Sequence, residues 1–321
     1  MTPSPTIGTR RVLMLTHTGR AEAREVAVAF CKALAGHDIV VRLPDEEAAD
    51  LGIEPAAYAG LVELTGPDRE PTDGCELVLV IGGDGTILRA AEVTHASGTP
   101  VLGVNLGHVG FLAEAESDDV ESTIEAIVHR RYTAEDRLTL DVRVSTDGVE
   151  VFRTFAVNEA SVEKASRERM LEVVIEVDDR PLSRFGCDGV VCATPTGSTA
   201  YNFSAGGPIV WPGVEALLMV PISAHALFAR PLVVAPSSEL AVEVLSRTAG
   251  GGVLWCDGRR AFDLPPGARI EVTRGDQPVR LVRLHTAPFT DRLVAKFDLP
   301  VDGWRGAAER RRSTPRGDAH A

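Results

Sequence analysis

Apolar residues follow two different rhythms along this chain, and the change comes near Arg137. Ahead of it, short apolar runs of strand length ("RVLMLTH" from Arg11, then "DIVVRL", "ELVLVIGG" and "PVLGVN") alternate with stretches of helical spacing. The clearest helical stretch is "AEAREVAVAFCKALAG" from Ala21, and another follows Gly85. Strand and helix in alternation predict a parallel, Rossmann-like α/β sheet with crossover helices. A last amphipathic helix is expected in "SDDVESTIEAIVHR", capped by Ser117, and a polar loop between Thr65 and Gly74. Beyond Arg137 the period falls to two, in "LTLDVRVSTDGVEVF", "LEVVIEVDDRPLSRF", "DGVVCAT", "ELAVEVLS" and "ARIEVTR". That pattern predicts a mainly antiparallel β domain, with one helix after the turn at Gly197. The expected organisation is an α/β domain over 1–133, a β-rich domain over 134–284, a segment 285–306 packing back on the first domain, and a disordered tail 307–321.

At 321 residues with 44% apolar content the chain has material for two packed cores. Its 33 basic and 46 acidic residues give a net charge of −13, which disfavours nucleic acid and anionic membrane surfaces as partners. An anionic ligand therefore needs arginines placed locally, since the only lysines are Lys32, Lys164 and Lys296. Five scattered cysteines without a Cys-x-x-Cys pair argue against a disulfide framework or a zinc site and for a reducing cytoplasm. The N-terminus lacks the apolar core of a signal peptide, and no apolar run reaches the roughly 18 residues of a membrane span.

Three stretches carry candidate chemistry. In "ELVLVIGGDGT", Glu76 to Thr86, an apolar strand ends on glycines that surround one carboxylate, Asp84. The dinucleotide fingerprint fails because Leu88 replaces its third glycine, and the lysine-bearing phosphate loop is absent. What remains is a strand–helix corner where free N–H groups hold phosphate. There Asp84 is suited to take a proton from a hydroxyl or to help hold magnesium, and the bland alternative makes it a helix N-cap. The second stretch, "DGVVCATPTGSTAYNFSAGGP", Asp188 to Pro208, is dense in hydroxyls, which fit a base edge or a ribose, with Tyr201 offering a flat face. A serine/threonine turn with Tyr201 in the core is its structural alternative. Third, Asn158-Glu159 interrupts an alternating strand with two polar side chains suited to ribose hydroxyls, although an exposed strand end reads the same way.

Taken in order, "GGDGT", "LGVNLGHVGFLAE" at 102–114, "NE" at 158–159, and "DGVVCATPTGSTAY" followed by "SAGGP" at 188–208 resemble the NAD kinases. "GGDG" alone also occurs in phosphofructokinases and in diacylglycerol or sphingosine kinases, whereas the threonine-rich segment is far more specific. The resemblance spans about Arg11 to Trp304 and implies phosphorylation of the 2′-hydroxyl on the adenosine ribose of NAD, giving NADP. It implies ATP or inorganic polyphosphate as donor, Mg2+ or another divalent cation, and a homodimer or homotetramer assembled through the β domain. Asp84 matches the general base, with Gly85 in the same loop beside the dinucleotide. Asn158 and Glu159 match the pair that holds adenosine, and Asp188 the acidic residue on the nicotinamide side. Thr199, Ala200, Tyr201 and Ser204, with Asn202 and Phe203 between them, match the wall around adenine and its ribose. Arg89 and Arg169 match positions that reach the dinucleotide in some relatives. Gly186 and Arg259 depart from residues found in others. Two further readings share parts of this set: a lipid or sugar kinase, which has no need of the threonine-rich segment, and a non-catalytic NAD-binding regulator, which has no need of Asp84.

Overall fold

A computed structural model describes residues 9–66, 69–106, 110–116, 119–166, 169–246, 251–285 and 288–301. Ser117, residues 107–109 of the quoted glycine-rich motif and the tail from 302 lie outside the described residues.

The first lobe is built from β1 (Arg11–Thr16), α1 (Ala21–Gly36), β2 (Val40–Pro44), α2 (Asp45–Leu51), β3 (Val62–Thr65), β4 (Leu77–Ile81), α3 (Asp84–Thr94), β5 (Val101–Asn105), β6 (Ala115–Glu116), α4 (Val120–Val128) and β7 (Thr133–Arg137). Helix α1 buries Ala23, Ala27, Phe30, Cys31 and Leu34, one stripe at helical spacing, against the sheet. Every residue of β4 and β5 is buried, as expected of strands with helices on both faces. Strands run in the order β3-β2-β1-β4-β5, all parallel, with β6 alongside the end of β5. Asp119, rather than Ser117, stands at the N-cap of α4.

The second lobe holds β8 (Leu140–Thr146), β9 (Val149–Ala156), β10 (Glu159–Lys164), β11 (Leu171–Val177), β12 (Arg180–Cys187), β13 (Gly189–Ala193), α5 (Tyr201–Ser204), β14 (Leu217–Ile222), β15 (Leu232–Val234), β16 (Leu240–Val244), β17 (Gly252–Cys256), β18 (Arg260–Leu264) and β19 (Arg269–Arg274). They form two six-stranded antiparallel sheets, β15-β14-β13-β10-β17-β18 and β12-β11-β16-β19-β8-β9. Alternate residues of each, such as Leu140, Val142 and Val144 on one and Val190 and Cys192 on the other, meet in a shared core. The opposite face of β13 is also apolar: Val191 and Ala193 pack with Val210 and Tyr201, which is why the whole strand is buried.

The chain then returns. Strand β20 (Val279–Arg283) pairs parallel with β5 through Leu281 and Val101, and antiparallel with β7, completing an eight-stranded first sheet. Two strands from the stretch read as β-rich, β7 and β20, thus belong to the first sheet, because their ladder partners are there. Helix α6 (Phe289–Phe297) follows and lies across both lobes: Phe289 and Phe297 each contact Phe111, and Phe297 also meets Phe203 at 4.7 Å between ring centres.

Candidate active site

Strand β4 is wholly apolar and ends at Ile81, so the chain leaves the sheet at Gly82 and starts α3 immediately. Gly83 occupies the N-cap position and Asp84 the first turn, and no side chain caps the helix. This removes the N-cap reading of Asp84. Its carboxylate instead accepts the backbone N–H of Phe111 at Oδ2 (3.1 Å) and of Leu112 at Oδ1 (3.2 Å). The strap carrying those donors comes this close because residue 110 is glycine: a Cβ there would lie 2.5 Å from Asp84 Oδ1. Gly83 and Gly85 differ, since a Cβ on either would meet nothing within 4 Å. Their lack of side chains leaves open space against the backbone rather than serving packing.

That space is a cavity of about 490 Å³ lined by Gly83, Gly85 and Thr86 from the start of α3, by residues 16–20 after β1, and by Arg89 and Arg259. Arg89 turns toward β1, where Nη2 donates to Thr16 O (3.3 Å) and to Glu47 Oε1 (2.7 Å). Glu47 is buried, and burial pushes its carboxyl up despite the Arg89 charge and the Thr16 N–H that it accepts. Helix N-termini, free backbone N–H groups and arginines make this cavity suited to phosphate.

The Asn158-Glu159 corner is assembled from two other segments. Asp257, held at φ 54° in the turn after β17, accepts the backbone N–H groups of Val157, Asn158 and Glu159, and its Oδ2 takes Arg260 Nη2 at 2.6 Å. From the other side Thr194 N donates to Asn158 O (2.9 Å), and Thr194 Oγ1 donates to Val157 O (2.6 Å). Gly197 presses on the same peptide so closely that a Cβ would sit 2.0 Å from Asn158 O. Glu159 Oε2 accepts the backbone N–H of Tyr201 at 3.3 Å, tying the corner to the first turn of α5. Burial pushes Glu159 up to about 8, with the Asp257 charge adding to the rise.

The hydroxyls of the threonine-rich segment do not all face a ligand. Thr194 and Ser198 are fully buried, and their hydroxyls bond backbone carbonyls; Thr199 Oγ1 donates to Thr196 O. Asn202 is buried as well, and its amide donates to Pro208 O, so it fixes the glycine turn beneath the wall instead of forming its surface. Ala200, half-buried, is the hinge between the short 3₁₀ turn 196–199 and α5; Tyr201 is half-buried, and Phe203 and Ser204 are exposed. Asp188 pairs with Lys164 at 2.5 Å, which holds its carboxyl below the ordinary range with help from Ser223. Arg169 is exposed ahead of β11, and no hydrogen bond or ion pair among the described residues joins it to this wall.

Two connections bring Asp84 and the corner together. Val157 shares an apolar cluster with Ile87, Leu88 and Ala91 of α3 and with Leu112 and Ala113 of the strap. Glu92 of α3 pairs with Arg259 at 2.9 Å and with Arg260 at 3.6 Å, and Arg260 also lies over the Phe155 ring. Reading the sequence missed Asp257 and Phe297. The Asp-Gly turn after an apolar strand was the only local sign of Asp257, because its partners lie about a hundred positions earlier.

The family model of the ATP-NAD kinase N-terminal domain matches residues 12–132, and that of the ATP-NAD kinase C-terminal domain matches 157–284. The chain belongs to the NAD kinase family. It is 60% identical over 299 residues to NAD kinase 2 of Streptomyces coelicolor, covering 93% of this chain and 97% of that one. It is 57% identical to the NAD kinase of Thermobifida fusca over 308 residues, covering 95% and 94%. Among solved structures, yeast NADH kinase complexed with NADH has a TM-score of 0.82 at 26% identity over 92% of this chain and 89% of its own. An NAD kinase from Archaeoglobus fulgidus in complex with ATP shares the fold, with a TM-score of 0.65 at 24% identity over 90% and 98%. As an NAD kinase family member, the chain is a phosphotransferase, and its fold packs Val157, next to the Asn158-Glu159 corner, against the helix that the glycine loop starts.

Proposed function

We propose that this chain transfers the terminal phosphoryl group of ATP or inorganic polyphosphate to the 2′-hydroxyl of the adenosine ribose of NAD, producing NADP. The observation that carries the reading is Asp84, a carboxylate oriented by two backbone N–H groups at the N-terminal end of α3, beside glycines that leave their backbone open. Adenosine packs against the wall of Thr199, Ala200, Tyr201 and Ser204, with Asn158 and Glu159 at its ribose end, and Asp188 marks the nicotinamide side. Asp84 accepts the 2′-hydroxyl proton as that oxygen attacks the terminal phosphorus and the bond to the leaving phosphate oxygen breaks. The cavity beside Gly83, Gly85 and Arg89 takes the donor phosphates. Phosphoryl transfer depends mainly on positioning and charge stabilisation of this kind.

Among the described residues no group of three or more His, Cys, Asp or Glu side chains is arranged to hold a metal. A divalent cation would be held here by the donor phosphates, with Asp84 the carboxylate of the loop that would contribute to it, and would neutralise phosphate charge. Magnesium is commonly bound in this way, through substrate phosphates and one or two carboxylates.

All five cysteines are free, which supports placement in a reducing cytoplasm; no helix among the described residues is long and apolar enough to cross a membrane. A homodimer or homotetramer is supported by the segment after β14, where Leu227 is fully exposed and Phe228 half exposed. The test of the function is NADP formation by purified protein from NAD, with ATP and polyphosphate offered separately. NAD binding without NADP from either donor would leave a dinucleotide-binding regulator.

A further inference from the structure

A second cavity, about 700 Å³, is lined in part by Phe111 of the strap that holds Asp84. Its floor carries three guanidinium groups, Arg137, Arg283 and Arg292, which share two carboxylates. Glu114 accepts Arg283 at 2.8 Å and Arg292 at 2.6 Å; Glu135 accepts Arg283 at 2.9 Å and Arg137 at 3.0 Å. The set carries one uncompensated positive charge. Arg137 is 6% exposed, and its Nε is buried without a hydrogen-bond partner. Burial together with the Arg283 charge pulls the Arg137 guanidinium down to about 10. Arg130 and Arg131 stand at the rim, and Tyr132, Trp211 and Phe289 form apolar walls.

Such a concentration is unexpected in a chain of net charge −13. A buried, under-bonded guanidinium costs free energy unless an acceptor reaches it. Planar, multidentate donors around a concave site suit phosphate oxygens best, and the volume accommodates a chain of several phosphates. We propose that this cavity is a second binding site for a multiply phosphorylated anion, distinct from the glycine-loop cavity. Phe111 of the strap lines this cavity and donates its backbone N–H to Asp84, so an occupant lies against the segment that orients Asp84.

The test is calorimetric titration with inorganic tripolyphosphate, and separately with ATP, on the full chain without NAD. The parent is expected to bind tripolyphosphate and to gain thermal stability from it. Arg137→Gln and the rim change Arg131→Glu should each weaken binding roughly 10-fold or more, as loss of a charge-assisted contact predicts. Arg131 is 64% exposed along its side chain, so Arg131→Glu stays informative even if Arg137→Gln does not fold. Arg20→Glu, in the glycine-loop cavity, should leave this binding in place. Tighter binding of ATP that is lost in Trp211→Ala identifies a nucleotide as the occupant; equal affinities insensitive to Trp211→Ala identify the phosphate chain alone. No binding by the parent, binding unchanged in both arginine variants, or binding lost only in Arg20→Glu would overturn the assignment. None of these measurements requires turnover, so failure here is separate from failure of the kinase reading.

Discussion

Among the described residues, each oxygen of the Asp84 carboxylate accepts one strap N–H, and a carboxylate oxygen has a further lone pair with which to meet a ligand. Asp84→Asn is therefore expected to hold NAD nearly as well while turnover drops about 10²- to 10⁴-fold, as for loss of a positioned general base. The amide also turns one strap contact into donor against donor, at about 1–3 kcal/mol of stability, so folding is checked alongside NAD affinity and turnover. Activity within about threefold of the parent, far short of a general-base loss, would end the mechanism. Glu159 yields a pH prediction. Between its ordinary value near 4.5 and about 8, the folded chain keeps a proton that the unfolded chain has released. Stability therefore falls as pH rises through that window and levels off above it. Glu159→Gln lacks this titration, so urea midpoints of parent and variant should diverge in the variant's favour between pH 6 and pH 8.5; parallel curves would refute the linkage. Asp84 was legible in the sequence because glycines isolate it, and Glu159 because it breaks an alternating strand. Asp257 was not, because its meaning comes from the N–H groups of residues 157–159. For the hydroxyls of Thr194 and Ser198 the sequence left a ligand-facing wall and a serine/threonine turn both open, because composition does not show which way a side chain turns; both bond backbone carbonyls.

Short elements set the wall, and packing decides their form more than propensity does. Helix α5 has only four residues and is held by the Glu159–Tyr201 bond and the contact of Gly197 with Asn158. Gly197→Ala drives a methyl group into the Asn158 carbonyl, so backbone must move; a loss of about 1–3 kcal/mol in chemical denaturation, with weakened NAD binding, is the expected result. An unchanged NAD affinity would show that the corner and α5 are not coupled. The long amphipathic α1 was readable to its last residue from apolar spacing. Helix α2 was not, since "DEEAADL" looks like a polar loop until Glu47 is seen buried against Arg89. The pairing of β20 with β5 was equally hidden, because a ladder partner some 180 positions away leaves no local periodic trace.

At the scale of the molecule, the exposed Leu227–Phe228 segment predicts self-association. Leu227→Glu places a charge where a second copy would bury leucine, so light scattering should show the parent as an oligomer and the variant shifted toward monomer; a monomeric parent would remove the basis for this surface. The first sheet also has a history that its finished form conceals. Its edge at Val101 is closed by Leu281, near the far end of the chain. A ribosome adds roughly 5 to 20 residues each second, so the nascent glycine-loop lobe waits on the order of ten seconds with that edge unpaired. Open edges recruit other strands, including those of neighbouring nascent chains. A gene fragment ending at residue 133 should therefore yield aggregated product, and co-expressing residues 134–321 from a second message should recover soluble material, because it supplies β20.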